Sequence, residues 1–408
     1  MNNQTNADVI IIGGGVSGFT TAYFLKQSGL KTLLFSGKIS PLKKLSITGK
    51  GRCNLTNDCD VDTVLQNIFK NSAFMRSSLN AFPPESVMQW VKTELKIPLK
   101  TERGGRVFPC SDKASDIVEA LQCSHNTQVV SEGVAKLLVS EISDSPQING
   151  VKTSTGIEYY APKILIATGG VSYPKTGSTG DGHSFAKQVG HSIVPLNPAL
   201  VPFETSENCS DLAGLSLKNV RLTFGKFVEQ GEMLFTHFGV SGPLVLTASC
   251  FSHTLPHELS IDLKPALDAE TLDRRLLREF SENKNRQLKN ILPALLPEKL
   301  IKVFGERSGL SEKRACEISR EERRNLLELF KNFRLTVIKL RPMEEAVITN
   351  GGVNVKEVNP KTMQSKIVKG LYFAGEVLDI AAFTGGFNLQ IAFSTAFAAA
   401  RGIEMEFS

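Results

Sequence analysis

The run Val9-Ile-Ile-Ile12 is apolar, β-branched and without alternation, and it passes directly into Gly13-Gly14-Gly15-Val16-Ser17-Gly18. A strand with no polar face has to be covered on both sides, which is the situation of a parallel sheet in an α/β fold. Phe19 to Gln27 then reads as a helix closed by Gly29, and Lys31-Thr-Leu-Leu-Phe35 as a second strand, completing a right-handed βαβ unit. Gly13, Gly15 and Gly18 form G-x-G-x-x-G between strand and helix. In that setting the first glycine makes the tight turn, the second removes the side chain where a pyrophosphate approaches, and the third lets helix and sheet close up. The N-H groups at the helix start then face the phosphate charge. The motif predicts a dinucleotide site.

The same texture recurs at two later places. Lys163-Ile-Leu-Ile-Ala167 is a second fully apolar strand stopped by glycines, and Gly370-Leu-Tyr-Phe-Ala-Gly375 is a third, followed by a helix from Gly386 to Arg401 rich in Ala, Phe and Ser. Between them the chain changes character. Three prolines in Pro195 to Pro202 mark a boundary; Val201 to Leu263 reads as short strands and turns, and Ala269 to Phe330 as charged helices. With 408 residues the chain exceeds a usual domain of about 50–250 residues. One dinucleotide domain drawn from both ends, around a small β domain that carries a helical subdomain, accounts for that length. Ile39 to Asn57, rich in Lys, Gly and Ser, reads as a loop, and Lys100 to Cys110 as a hairpin.

Composition excludes several classes. No segment reaches the roughly 18 apolar residues of a membrane span, and the seven cysteines contain no CxxC pair. With no secretory leader, the expectation is a reducing cytoplasm. The formal charge of +6 is small for this length. Arg274, Arg275, Arg278, Lys284, Arg286 and Lys289 interleave with Asp273, Glu279 and Glu282, a solvated helix face, so nucleic acid is not the expected partner. The histidines have no metal-ligand spacing, and no metal is expected.

Candidate site residues cluster after the apolar strands. A dinucleotide site usually ends its second strand with Asp or Glu for the ribose; here Ser36 stands there, before Gly37-Lys38. In Thr48 to Asn57, Arg52 can pair with phosphate, Asn54 and Asn57 can bond a ring edge or a ribityl hydroxyl, and Cys53 has a basic neighbour. Thr168 and Gly169 open a second glycine-rich stretch ending at His183, where Asp181 can cap a helix. His237, in Phe235-Thr-His-Phe-Gly-Val-Ser-Gly-Pro243, is either a proton donor or part of a turn packed on Phe235 or Phe238. Glu376 and Asp379 offer acceptors at a strand end, and the helix after Gly385-Gly386 can direct its positive end at the flavin pyrimidine.

These residues resemble one family. IIGGGVSG at Ile11 to Gly18, ITGKGRCNLTN at Ile47 to Asn57, ATGGVSYPKTGSTGDGH at Ala167 to His183, LFTHFGVSGP at Leu234 to Pro243, and GLYFAGEVLD with TGGFNLQIAF are similar to the HI0933-like, or YhiN-like, bacterial flavoproteins, the BaiN/RdsA-type NAD(P)/FAD-dependent oxidoreductases. The resemblance implies an α/β, Rossmann-like FAD-binding domain of glutathione-reductase type over residues 1–195 and 346–408. It also implies a β-barrel-like inserted domain over 196–268 and 331–345, and a helical subdomain over 269–330. Gly13, Gly15, Gly18, Arg52, Cys53, Asn54, Val134, Thr168, Gly169, Glu376, Asn388 and Leu389 are then expected to line or approach FAD. The implied activity is hydride transfer between flavin and a small or medium organic substrate, with NAD(P)H a candidate reductant. Two rivals remain at this point: a flavin-binding sensing or partner module without turnover, and an NAD(P)-only dehydrogenase. The sequence departs from the family pattern at Ser36 for Glu, at Lys50 for a glycine, and at Ala381-Ala382 for Asp-Gly.

Replacing Ser36 by Glu is expected to tighten FAD binding, because a carboxylate accepts two hydroxyl hydrogen bonds where serine offers one weak contact. Titration of stripped protein with FAD checks this; weaker binding in the variant shows a site adapted around serine.

Overall fold

The computed structural model describes residues 5–142, 145–251 and 254–408, which separate into two compact units, 1–198 with 346–408 and 199–345. In the first unit, β1 (Val9–Ile12), α1 (Val16–Leu25), β2 (Thr32–Phe35), β3 (Gln128–Val130), β4 (Lys163–Ile166), β5 (Leu371–Phe373) and α2 (Phe387–Glu404) form the frame. The sheet runs β5-β4-β1-β2-β3, and every pair is parallel. Register aligns Ile12 with Phe35 and Ile166, Phe35 with Val130, and Ile166 with Phe373. All five strands therefore stop at one edge.

The apolar strands are buried as their composition requires: Val9, Ile10, Ile11, Ile164, Leu165, Ile166, Leu371 and Phe373 have almost no exposed surface. Each such side chain contributes about 1.5–3 kcal/mol over remaining in water. Helix α2 lies against α1, where Ser17 Oγ donates to the Ala392 carbonyl (3.3 Å) and Thr21 Oγ1 to that of Ala396 (3.2 Å). The alanines of α2 and Ser394, mostly buried, allow that approach. A three-stranded antiparallel meander (Val134–Ile142, Ser145–Thr153, Glu158–Tyr160) adds Thr5–Asn6 in parallel at its edge.

The second unit is built on a closed six-stranded barrel, ordered Phe203–Thr205, Gly239–Ser241, Phe227–Thr236, Ser216–Phe224, His257–Asp262 and Phe333–Leu340. Its apolar core continues into helices Ala269–Glu282, Glu298–Ser308 and Arg320–Lys331. Closure leaves no unpaired edge. On the first helix Arg275 pairs with Glu279 at 2.7 Å, and Asp273 is met by Arg323 of the third helix at 2.8 Å.

Two expectations are corrected. The stretch from Ile39 to Asn57 is not all loop: Lys43–Gly51 is helical, interrupted at Thr48 to Lys50, where Gly49 and Lys50 take left-handed angles. Its polar composition concealed a narrow apolar face, for Leu42 and Leu45 are buried. Asp181 does not cap the helix Asp181–Gln188; it is the first helical residue, and Gly180 occupies the cap position. A carboxylate in the first turn still favours the helix through the dipole.

His191 anchors the return segment of the chain. Its imidazole is enclosed, with Nδ1 3.1 Å from Glu357 Oε2, Nε2 2.8 Å from Ser365 Oγ, and the ring edge-on to Phe373. Burial pushes its pKa below the ordinary value against the pull of Glu357, and burial does the same to His125 and His183. The unfolded chain protonates these rings near an ordinary pKa of about 6.5, so unfolding takes up protons below that value and stability falls as the pH drops through it. Denaturant unfolding is expected to show a lower midpoint at pH 5 than at pH 7, and His191→Gln a shallower dependence over that range. An unchanged slope in the variant refutes the assignment to His191.

Candidate functional site

The edge where the five strands end carries the glycine-rich turns. Gly13 donates its N-H to the Phe35 carbonyl (2.9 Å) and has φ +121°; a Cβ there would collide with the Ala167 carbonyl. A Cβ on Gly18 would collide with the Gly13 carbonyl. Gly15 differs. The nearest protein atom to a Cβ placed on it is Ala167 O, 4.0 Å away, so packing within the chain does not require its missing side chain. Gly15 also caps α1 without any side-chain acceptor, and the first turn holds no acidic residue. Free N-H groups with no competing anion form an anion site.

Ser36 follows β2 beside this turn: a Cβ on Gly14 would lie 2.8 Å from Ser36 Cβ. Its hydroxyl has only long contacts, 3.4 Å to Gly37 O and 3.5 Å to Val130 O. Val134, half-buried, begins the strand beyond β3. Thr168 and Gly169 follow β4; Gly169 has φ +75°, and among the described residues the buried Thr168 hydroxyl has no hydrogen-bond partner.

At the end of β5, Glu376 is held from three segments. Its Oε1 accepts from Ser172 Oγ (3.0 Å) and the Thr349 N-H (2.8 Å), and its Oε2 from Lys44 Nζ (2.6 Å); the ammonium also donates to Ser172 Oγ (2.7 Å). Asp379 is likewise engaged, with Lys70 at 2.7 Å and with Asn71. Lys44, Ser172 and Thr349 escaped the sequence reading, because nothing in their local spacing ties them to Glu376.

The loop ending at Asn57 has a different division of labour from the one its composition suggests. The Arg52 guanidinium is taken by Glu102 and Asp112 and stacks 4.2 Å from the centre of the Phe108 ring; it holds the Glu102 carboxyl below its usual pKa, and Lys100 together with Arg52 does the same for Asp112. Its charged end is committed to the hairpin Leu99–Pro109 and its following turn, not free for a phosphate. Cys53 is fully buried with its thiol pushed up to about 12, which removes the reactivity its basic neighbour suggested. Asn54, with its amide turned to satisfy both ends, donates to Thr56 O (3.2 Å) and accepts from the Gly386 N-H (3.0 Å). Asn388 spends its amide on Ala382 and Phe383, pinning the Ala381-Ala382 strand, while the half-buried Leu389 packs against the core. Helix α2 starts at Gly386 with no side-chain cap and no acidic residue in its first turn.

In the second unit, His237 is exposed at the turn between two barrel strands, edge-on to Phe238 at 5.0 Å. The turn packing on Phe238 that the sequence allowed is present, and it leaves the imidazole accessible. Among the described residues no group of His, Cys, Asp or Glu could hold a metal ion.

Residues 7–402 match the HI0933-like protein Rossmann domain. The chain belongs to the HI0933-like family. Among its relatives are the ribosomal RNA dihydrouridine synthase of Haemophilus influenzae, 32% identical over 97% of this chain and 98% of the relative, and that of Escherichia coli, 31% identical over 97% and 98%. The 3-dehydro-bile acid delta(4,6)-reductase of Clostridium scindens is 28% identical over 96% and 97%. Among solved structures, the fold is shared with 3-ketosteroid delta1-dehydrogenase from Sterolibacterium denitrificans, at TM-score 0.52 and 10% identity over 99% of this chain and 100% of that one. This HI0933-like protein is an FAD-dependent oxidoreductase, and no helix among its described residues is long and apolar enough to cross a membrane.

The edge suits FAD on its own chemistry. An uncapped helix start lies behind Gly15, whose Cβ position no protein atom crowds; a partnerless hydroxyl sits on Thr168; and α2 presents a second uncapped N-terminus. Two glycine substitutions separate ligand space from packing. Gly15→Ala is expected to fold with an unchanged melting temperature but to bind FAD at least about tenfold more weakly, since a methyl takes the phosphate's place. Gly18→Ala is expected to lose about 1–3 kcal/mol of stability, because its methyl meets a backbone carbonyl. Melting curves and FAD titration of both variants check the contrast; equal effects refute it.

Proposed function

We propose that this protein reduces a carbon–carbon double bond conjugated to a carbonyl, and that its substrate is a uridine within RNA. The observation that carries the reading is the pair of ribosomal RNA dihydrouridine synthases, above 30% identical along essentially the whole of both chains. Making dihydrouridine saturates a ring double bond beside a carbonyl. The bile-acid relative, by its name, also reduces ring double bonds in a ketone-bearing molecule, so one chemistry covers all three. That relative supports a second reading, a medium-sized enone as substrate.

The reduction adds a hydride to the carbon remote from the carbonyl and a proton to the carbon next to it. Reduced flavin supplies the hydride when bound, and NAD(P)H is the proposed source of its electrons. The chain's own part is electrostatic: α1 offers its first turn to the pyrophosphate, and α2 directs unpaired N-H groups toward negative charge that accumulates near its start. The low expectation for nucleic acid, drawn from the mixed charges between Asp273 and Lys289, addressed only that stretch.

The test supplies FAD-loaded protein and NAD(P)H with unmodified ribosomal RNA, and in parallel with a 3-keto-4-ene steroid. Mass spectrometry of digested RNA is expected to show dihydrouridine, with matching loss of NAD(P)H absorbance. Reduction of the steroid alone supports the second reading, and oxidation of NAD(P)H without product in either arm overturns the proposal.

A further inference from the structure

We infer that Lys44 balances the charge of Glu376 beside the flavin and so sets how readily the flavin is reduced. The backbone locates this pair. A Cβ on Gly375 would collide with the Ser17 hydroxyl, so the turn after β5 lies against the first turn of α1. Ser17 is bonded in turn to Ala392 of α2, and the Gly375 N-H donates to Thr395 Oγ1 (3.0 Å). Glu376 therefore emerges beside the uncapped start of α1, one residue beyond the point where the strand end meets the first turn of α1 and, through Thr395, the middle of α2.

A carboxylate in that place is an electrostatic liability. Two electrons and one proton convert FAD to the anion FADH⁻, and a fixed negative charge nearby disfavours the product. The structure compensates it. Lys44 Nζ lies 2.6 Å from Glu376 Oε2, the only ion pair Glu376 makes among the described residues, and both side chains are about three-quarters buried, at 25% and 23% exposure. Ser172 Oγ, 2.7 Å from the ammonium and 3.0 Å from Oε1, fixes the geometry, and the Thr349 N-H completes Oε1. Thr349 Oγ1 is itself tied by the N-H groups of Val171 (2.8 Å) and Ser172 (3.1 Å). Oε1 thus accepts two hydrogen bonds from the chain and Oε2 one. A pair needed only to tie segments together could be apolar at similar stability; a neutralised carboxylate beside a group that becomes anionic has an electrostatic purpose. Lys44 is thus a positioning and charge-balancing residue.

The test measures the FAD midpoint potential against a reference dye in FAD-loaded protein. Lys44→Met is expected to weaken binding of reduced relative to oxidised FAD on the order of tenfold, a shift of about 30 mV to more negative potential for a two-electron couple. Glu376→Gln alone is expected to move the potential the other way, and the double variant to return it close to the parent. If Lys44→Met purifies without cofactor, the ratio of dissociation constants for oxidised and reduced FAD, titrated into the apoprotein, reports the same quantity. If it does not fold, Glu376→Gln carries the test by its sign. An unchanged potential in Lys44→Met with normal melting, or a double variant as negative as the single, overturns the inference, because a structural tie has no reason to track net charge.

Discussion

The strand Lys163–Ile166 is paired along both sides, with Val9–Ile12 on one flank and Leu371–Phe373 on the other. Its side chains are buried, so its backbone groups have no access to water and must be met by neighbouring strands. The two partners are separated by more than three hundred residues of sequence, and this pairing brings the last part of the chain into the first sheet. Parallel register then places the carboxyl ends of all five strands together. The glycine contacts depend on the same register: Gly13 meets the carbonyl of Ala167, at the end of the adjacent strand, and Gly375 meets Ser17.

Charge at this edge is arranged in closed pairs. Glu376 is met by Lys44, Asp379 by Lys70, and Glu102 and Asp112 by Arg52 and Lys100. Beside these pairs lie the helix starts at Gly15 and Gly386, both positive and neither capped by a side chain. Two uncapped helix starts are places where the helix dipole favours anionic groups.

Much of the frame was legible because it rests on local regularities. Unalternating strands stopped by glycine occur at Val9, Lys163 and Leu371, and each belongs to the central sheet. The helix in Lys43–Gly51 was not legible, since two buried leucines are too few to mark a period among lysines, serines and glycines. Arg52 and Asn388 carried polar groups suited to a ligand, yet the structure spends both on the protein itself, and the carboxylates that claim Arg52 lie 50 and 60 residues away.

The sequence by itself determined the parallel α/β core and the glycine turn between its first strand and helix, because those depend on side-chain polarity within a few residues and on where a Cβ is sterically allowed. Only the tertiary structure decided which polar groups remain available. Lys44, Ser172, Thr349 and Glu376 come from segments separated by as many as 332 positions, and a side chain's freedom to bind a ligand is fixed by the long-range partners that have already satisfied it.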